Sequence, residues 1–221
     1  MRRKKIDCVI RYDTNVRILN CKTVTKHQKI YKTTKLILFV SLMLLLVGYS
    51  QARMSYDADK VSLLLSQSEH MLYVKKGDFI VKSYKVALGS GGRGGKIREG
   101  DARTPVGQYL ITEVRDSDRF HLFMGINYPN IKDAKRALTD KLITRSDYRA
   151  VLDAHIFGRK PPQDLILGGA IGIHGIGTET EKKINIHQNI DWTEGCIALR
   201  NDEVEELSRY VSVGTEINIV E

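Results

Sequence analysis

The chain has 221 residues, 42% hydrophobic and 28% charged, with a formal net charge of +9. That charge is confined to one end: up to Ala52 there are 11 basic and 2 acidic residues, and the remaining 169 residues hold 24 of each. A domain in neutral balance offers no general support for a basic nucleic-acid face, so no nucleic-acid partner is expected, and 169 residues are enough for one domain with a sizeable core.

The first 52 residues read as a basic leader. Residues 36–48 (LILFVSLMLLLVG) are apolar apart from Ser41, and Lys26, Lys29, Lys32 and Lys35 precede them. Thirteen residues suit the core of a signal peptide better than a membrane span, which needs about 20. Gly48-Tyr49-Ser50 and Ser50-Gln51-Ala52 are small-x-small cleavage sites. A cleaved signal peptide and a single N-terminal membrane anchor both remain open. Either places residues 53–221, one domain, in the periplasm or cell envelope.

Strand signals follow. Val61–Leu65 and His70–Val74 are apolar, Lys75-Lys76-Gly77-Asp78 is a turn, and Phe79–Leu88 alternates in part, which together read as a hairpin. Residues 89–100 (GSGGRGGKIREG) lack the spacing of a phosphate loop and read as a mobile surface loop. Pro105 fixes a turn that feeds a strand through Tyr109-Leu110-Ile111. From about 130 to 160 the pattern turns helical: Ala134, Ala137, Leu138, Leu142, Val151 and Leu152 recur among charges, predicting one or two inserted helices that end at Pro161-Pro162. Ile166–His174 reads as a buried strand. Asn201 or Asp202 is placed to cap a helix running to about Val211, and Glu216–Val220 closes the domain as an alternating strand.

Cysteine usage points to chemistry. Cys8 and Cys21 lie in the leader, so the rest of the chain holds only Cys196, within Thr193-Glu194-Gly195-Cys196-Ile197-Ala198-Leu199-Arg200-Asn201-Asp202. A lone thiol outside the cytoplasm is a liability unless it is buried or does work. Its thiolate is a nucleophile once a base or positive surroundings generate it. His174, ending an apolar run 22 residues upstream, is the natural base; His187 is the rival, with His121 and His155 behind it. The spacing of His174, His187 and Cys196 matches no common zinc pattern, so no metal is assigned, and no cofactor is indicated.

His174-Gly175, the segment Thr193–Asp202 and Thr104-Pro105-Val106-Gly107-Gln108-Tyr109 together resemble the signature of the L,D-transpeptidase (YkuD-type) catalytic domain. The resemblance spans about 61–221. It implies a mainly β fold, a mixed β-sandwich with a helical insert and a short helix after the cysteine. It implies Cys196 as nucleophile and His174 as general base, with Thr193, Gly195 and Gly175 shaping the oxyanion site and active-site loop. The substrate it implies is a peptidoglycan stem peptide, cut between diaminopimelate and D-alanine through a thioester and passed to an amine. The acceptor is another stem peptide or an envelope lipoprotein, in the service of cell-wall organisation and cell shape. Glu194 stands where many members have histidine, and Ala198 where many have arginine or asparagine. Arg200 is the candidate replacement for the latter, and Asn127 and Tyr128 are expected to line a cap made by the insert. The alternatives are hydrolysis by the same pair, as a carboxypeptidase or amidase, and a non-catalytic wall-binding module.

Overall fold

The computed structural model describes residues 36–46 and 60–221, so the cleavage sites and the domain boundary near Ala52 lie outside the described residues. The chain separates into two units, Met1–Met54 and Ser55–Glu221. In the first, residues 36–46 form helix α1, whose apolar side chains are exposed. Among the described residues no helix is long and apolar enough to cross a membrane.

The second unit is built from eight strands. β1 (Val61–Ser66), β2 (Met71–Lys76) and β3 (Phe79–Lys85) form an antiparallel meander, and the expected hairpin is its second half. β4 (Gly107–Ser117) and β5 (His121–Ile126) make a second hairpin. Next come helices α2 (Ile131–Thr139) and α3 (Arg145–Ile156), strand β6 (Gly172–Gly175), helix α4 (Glu181–Asn189), strand β7 (Ile197–Leu199), helix α5 (Asn201–Ser208) and strand β8 (Glu216–Val220). The order across the sheet is β3-β2-β1-β8-β4-β5-β6-β7. The β1–β8 and β6–β7 pairs are parallel and the others antiparallel, so the sheet is mixed.

β4 explains the sandwich. Its first half, Gly107–Leu110, pairs with β8, and its second half, from Ile111, pairs with β5. The register slips between Ile111 and Glu113, and such a bulge bends a strand enough to pass from one layer to the other. Strand alternation then faces Leu63, Leu65, Ile217 and Ile219 of one layer towards Met124, Ile173, Ile197 and Leu199 of the other, all at most 2% exposed. At the far edge Ala87 exchanges backbone hydrogen bonds with Ala198, so the sheet nearly closes on itself.

The helical insert has a small core of its own, formed by Ala134, Ala137, Ile143, Val151 and Leu167. Both helices start at capping boxes, Asn130 with Asp133 and Thr144 with Asp147.

Three local expectations change. Of Ile166–His174 only Gly172–His174 falls in strand β6 (Gly172–Gly175); the chain before it turns through left-handed backbone at Gly168 and Ala170. α5 begins one or two residues earlier than a cap at Asn201 or Asp202 would place it, with Arg200 as the N-cap, because the Asn201 side chain is held elsewhere. Residues 89–100 are fastened rather than loose. The Asp101 carboxylate accepts from Lys96 Nζ (2.7 Å) and from the backbone N–H groups of Ile97 (2.6 Å), Arg98 (3.0 Å) and Arg103 (3.0 Å).

Candidate active site

β6 and β7 run side by side in parallel with Ile173 opposite Ile197 and His174 opposite Ala198. Because side chains alternate, Ile173, Ile197 and Leu199 enter the core, while His174 and Ala198 face the other way. Cys196 directly precedes β7, two residues before Ala198, and its sulfur meets the Gly172 backbone N–H of β6. Along the strand it lies about 7 Å from the level of His174, at ~3.3 Å per residue.

The cysteine loop is held by backbone and threonine. Thr193 is buried; its hydroxyl donates to the Cys196 carbonyl (2.7 Å) and accepts from Gly195 N–H (3.2 Å). Its own N–H donates to the Leu88 carbonyl, and Ser90 N–H donates to the Thr193 carbonyl, which locks the loop to the glycine-rich segment. Gly195 has φ +130°, and a Cβ there would lie 2.7 Å from the Arg103 carbonyl oxygen. Only glycine fits at that point. The Cys196 thiol reaches towards the Ala170 carbonyl at 3.5 Å. It is partly exposed, yet its burial pushes it up to about 11, against the Gly172 backbone N–H and the Lys96 charge, which favour the thiolate.

His174 is 1% exposed. Its Nδ1 lies 2.7 Å from the Gly175 carbonyl oxygen. A carbonyl only accepts, so Nδ1 carries the hydrogen and Nε2 is left with a lone pair. The imidazole stacks on Phe120 (centroids 4.1 Å apart) and meets the edge of Trp192 (5.9 Å). Burial first, then the Arg119, Lys183 and His187 charges, hold His174 down at about 4, although the Gly175 carbonyl favours its cation. Gly175 allows close approach: a Cβ there would lie 2.6 Å from Asn201 Oδ1. Asn201 accepts from Gly177 N–H and donates to its carbonyl, pinning the chain after the histidine.

The other candidates have partners of their own, and His187 is close enough for its charge to act on His174. His187 is buried in α4, and its Nδ1 accepts from Trp192 Nε1 at 3.4 Å. His121 pairs with Glu205, and His155 Nε2 donates to the Pro129 carbonyl (2.9 Å). Arg200 sits at the start of α5 with Nε 3.4 Å from Asp202. Tyr128 and Asn127 do not line a cap. Tyr128 is 0% exposed and donates to the Leu167 carbonyl (3.1 Å), while Asn127 accepts from Leu110 N–H (2.7 Å). Both side chains serve the joint between sheet and insert. Among the described residues no group of three or more His, Cys, Asp or Glu side chains is arranged to hold a metal ion.

Sequence reasoning passed over Phe120 and Arg119 at the β4–β5 turn, and gave Trp192 no role. Helix α4 was also unforeseen, and its signal was thin: Thr180 as N-cap, Glu181 in the first turn and no apolar stripe.

Residues 60–219 match the YkuD L,D-transpeptidase catalytic domain family. YafK of Escherichia coli (strain K12) is 33% identical over 76 residues, which cover 33% of this chain and 31% of YafK. Among solved structures, the helical cell shape determining protein Pgp2 from Campylobacter jejuni is 20% identical with a TM-score of 0.47, covering 76% of this chain and 53% of Pgp2. Bd1075 of Bdellovibrio bacteriovorus is 20% identical with a TM-score of 0.45, covering 73% of this chain and 48% of its own. The match thus spans about a third of YafK and about half of the solved chains.

Proposed function

The chain belongs to the L,D-transpeptidase catalytic domain family, and from that premise we propose that it is a cysteine acyltransferase acting on peptidoglycan tetrapeptide stems. The observation that supports this reading is the buried His174, whose Nδ1 hydrogen is held by the Gly175 carbonyl so that Nε2 keeps a lone pair for a proton, in the strand paired with β7, which starts directly after Cys196.

The resting pair is neutral. With the thiol up at about 11 and the imidazole down at about 4, neither group is charged at pH 7. His174 therefore acts as a general base during attack rather than as a standing partner of a thiolate. Its Nε2 takes the Sγ proton while Sγ bonds to the carbonyl carbon of the diaminopimelate residue. The tetrahedral oxyanion is stabilised by the Cys196 backbone N–H at the rigid turn, the Gly195 N–H being held by the Thr193 hydroxyl. Collapse breaks the C–N bond, and the proton on His174 goes to the departing amine of D-alanine. The thioester is then attacked by an acceptor amine, whose surplus proton passes to His174 and on to Sγ. The product is a new amide, either a crosslink or an attachment to an envelope lipoprotein. The same steps with water in place of the amine give an L,D-carboxypeptidase.

This substrate lies outside the cytoplasm, so the catalytic domain is proposed to work in the periplasm or cell envelope, delivered or tethered by the apolar segment that includes α1. The test is incubation of the protein with disaccharide-tetrapeptides beside Cys196→Ala, followed by mass spectrometry. A Cys196-dependent dimer lacking one D-alanine is expected. Products that persist in Cys196→Ala would overturn the proposal.

A further inference from the structure

His174 is flanked by two aromatic rings, and each ring carries a cation. Arg119 lies 4.8 Å from the centre of the Phe120 ring, and Lys183 lies 5.9 Å from that of Trp192. Phe120 and Trp192 are the two rings that pack against His174. The two cations come from unrelated parts of the chain. Arg119 is exposed in the β4–β5 turn, and Lys183 is half-buried in the first turn of α4, where its backbone N–H donates to the capping Thr180. Neither forms an ion pair among the described residues. Both act electrostatically on His174, and Arg119 acts on Cys196 as well.

Two cations on the rings that flank a buried base are costly for that base, since they oppose its protonation. A bound anion would relieve that cost, and the chemistry says where it would sit. The histidine that takes the thiol proton must return it to the leaving amine. The leaving nitrogen therefore lies against His174 Nε2. In a terminal amino acid the carboxylate is one carbon away from that nitrogen, so it falls beside the imidazole, whose two flanking rings carry the cations.

Resting on the reading above, we propose that Arg119 and Lys183 form a clamp for the free carboxylate of the departing C-terminal residue. They are specificity residues: the clamp makes the enzyme select a stem peptide that ends at the residue to be removed. Acidic residues come from the same segments of the chain as these cations and rings. Glu194 adjoins the thiol, and Asp116 and Asp118 line a separate cavity with His121, Gly177 and Thr178.

The test uses the full chain and the variants Arg119→Gln, Lys183→Gln, their double and Arg119→Lys, each checked for an unchanged melting temperature. One arm compares turnover of a tetrapeptide stem with its C-terminal carboxamide. The wild type is expected to favour the acid by about tenfold or more, and the double variant to lose that preference while Arg119→Lys keeps part of it. The other arm needs no turnover. It measures alkylation of Cys196 by iodoacetate relative to iodoacetamide at one pH, a ratio that cancels the thiolate fraction and reads the local charge. That ratio is expected to fall about fivefold in the double variant. An unchanged ratio and an unchanged acid preference overturn the clamp. If the wild type turns over neither peptide, the function proposed above fails, and the alkylation ratio alone then decides whether an anion-attracting mouth exists.

Discussion

At the scale of single residues, the account rests on a thiol and an imidazole that are both neutral at rest. A thiol held at about 11 reacts more readily as pH rises, with no plateau near neutrality. Alkylation of Cys196 by iodoacetamide is therefore expected to climb steadily from pH 6 to pH 10. A plateau above pH 6 would mean a preformed thiolate and contradict the mechanism. His174 also sets a stability window. Its folded value is about 4 against 6.5 in an unfolded chain, so the unfolded chain takes up a proton that the folded one refuses. Stability falls as pH drops from 6.5 towards 4, by at most about 1.4 kcal/mol per pH unit for this one group. His187, lowered by its burial and by the Arg200 and Lys85 charges, adds in the same direction. Denaturation curves of His174→Phe should show a shallower decline, and an unchanged one would deny the histidine its buried, neutral state. Cys196 and His174 were singled out in the sequence on residue chemistry alone, and Gly195 is the one of the three whose backbone, at φ +130°, shows why the sequence places that residue there. Tyr128 and Asn127 were misplaced because a polar or aromatic residue beside an insert looks the same whether it faces a cleft or a joint.

The fastening of the glycine-rich segment is a matter of elements. Sequence composition suggested a mobile loop, since glycine lowers local order wherever nothing holds it. What holds it is Asp101, which a sequence cannot pair with Lys96 and three amides in advance. Burial would raise this carboxyl, but Lys96 and the three N–H groups outweigh it and hold it at about 2. Lys96 is 3% exposed, so Asp101→Asn strands a buried ammonium. The variant is expected to lose about 3 kcal/mol, and adding Lys96→Met should recover part of it. Equal effects that simply add, measured by urea unfolding of the two single variants and the double, would show that the pair is not coupled. The same segment supplies the wall behind the nucleophile, because the Arg103 carbonyl occupies the space of a Gly195 Cβ. Gly195→Ala should therefore cost at least about a hundredfold in turnover with the fold intact, since small misplacements of a nucleophile are expensive. Turnover near wild-type would show that the turn tolerates a side chain.

Across the whole molecule, the sheet was foreseeable in its strands but not in its order. β1, β2, β3 and β8 announced themselves by apolar and alternating runs. β5 and β7 did not, because β7 is three residues long and β5 is buried along most of its length. The crossing of β4 between layers depends on a bulge that has no signature in the sequence. The helical insert was legible from its spacing, and its attachment was not. Leu167 belongs to the insert's core, and its carbonyl accepts from Tyr128. Leu167→Ala should therefore destabilise the domain by about 3 kcal/mol. A loss below about 1 kcal/mol in thermal or urea unfolding would show that insert and sheet are independent.

The central claim is that Cys196 carries the acyl group. The most direct measurement is acid quenching of the enzyme during turnover of a disaccharide-tetrapeptide, followed by proteolysis and tandem mass spectrometry of the Cys196 peptide. The account predicts a disaccharide-tripeptide adduct on Cys196 that is absent from Cys196→Ala and accumulates more slowly in His174→Ala. Turnover of the tetrapeptide with Cys196 unmodified at every quench time, and with activity retained in Cys196→Ala, would contradict it.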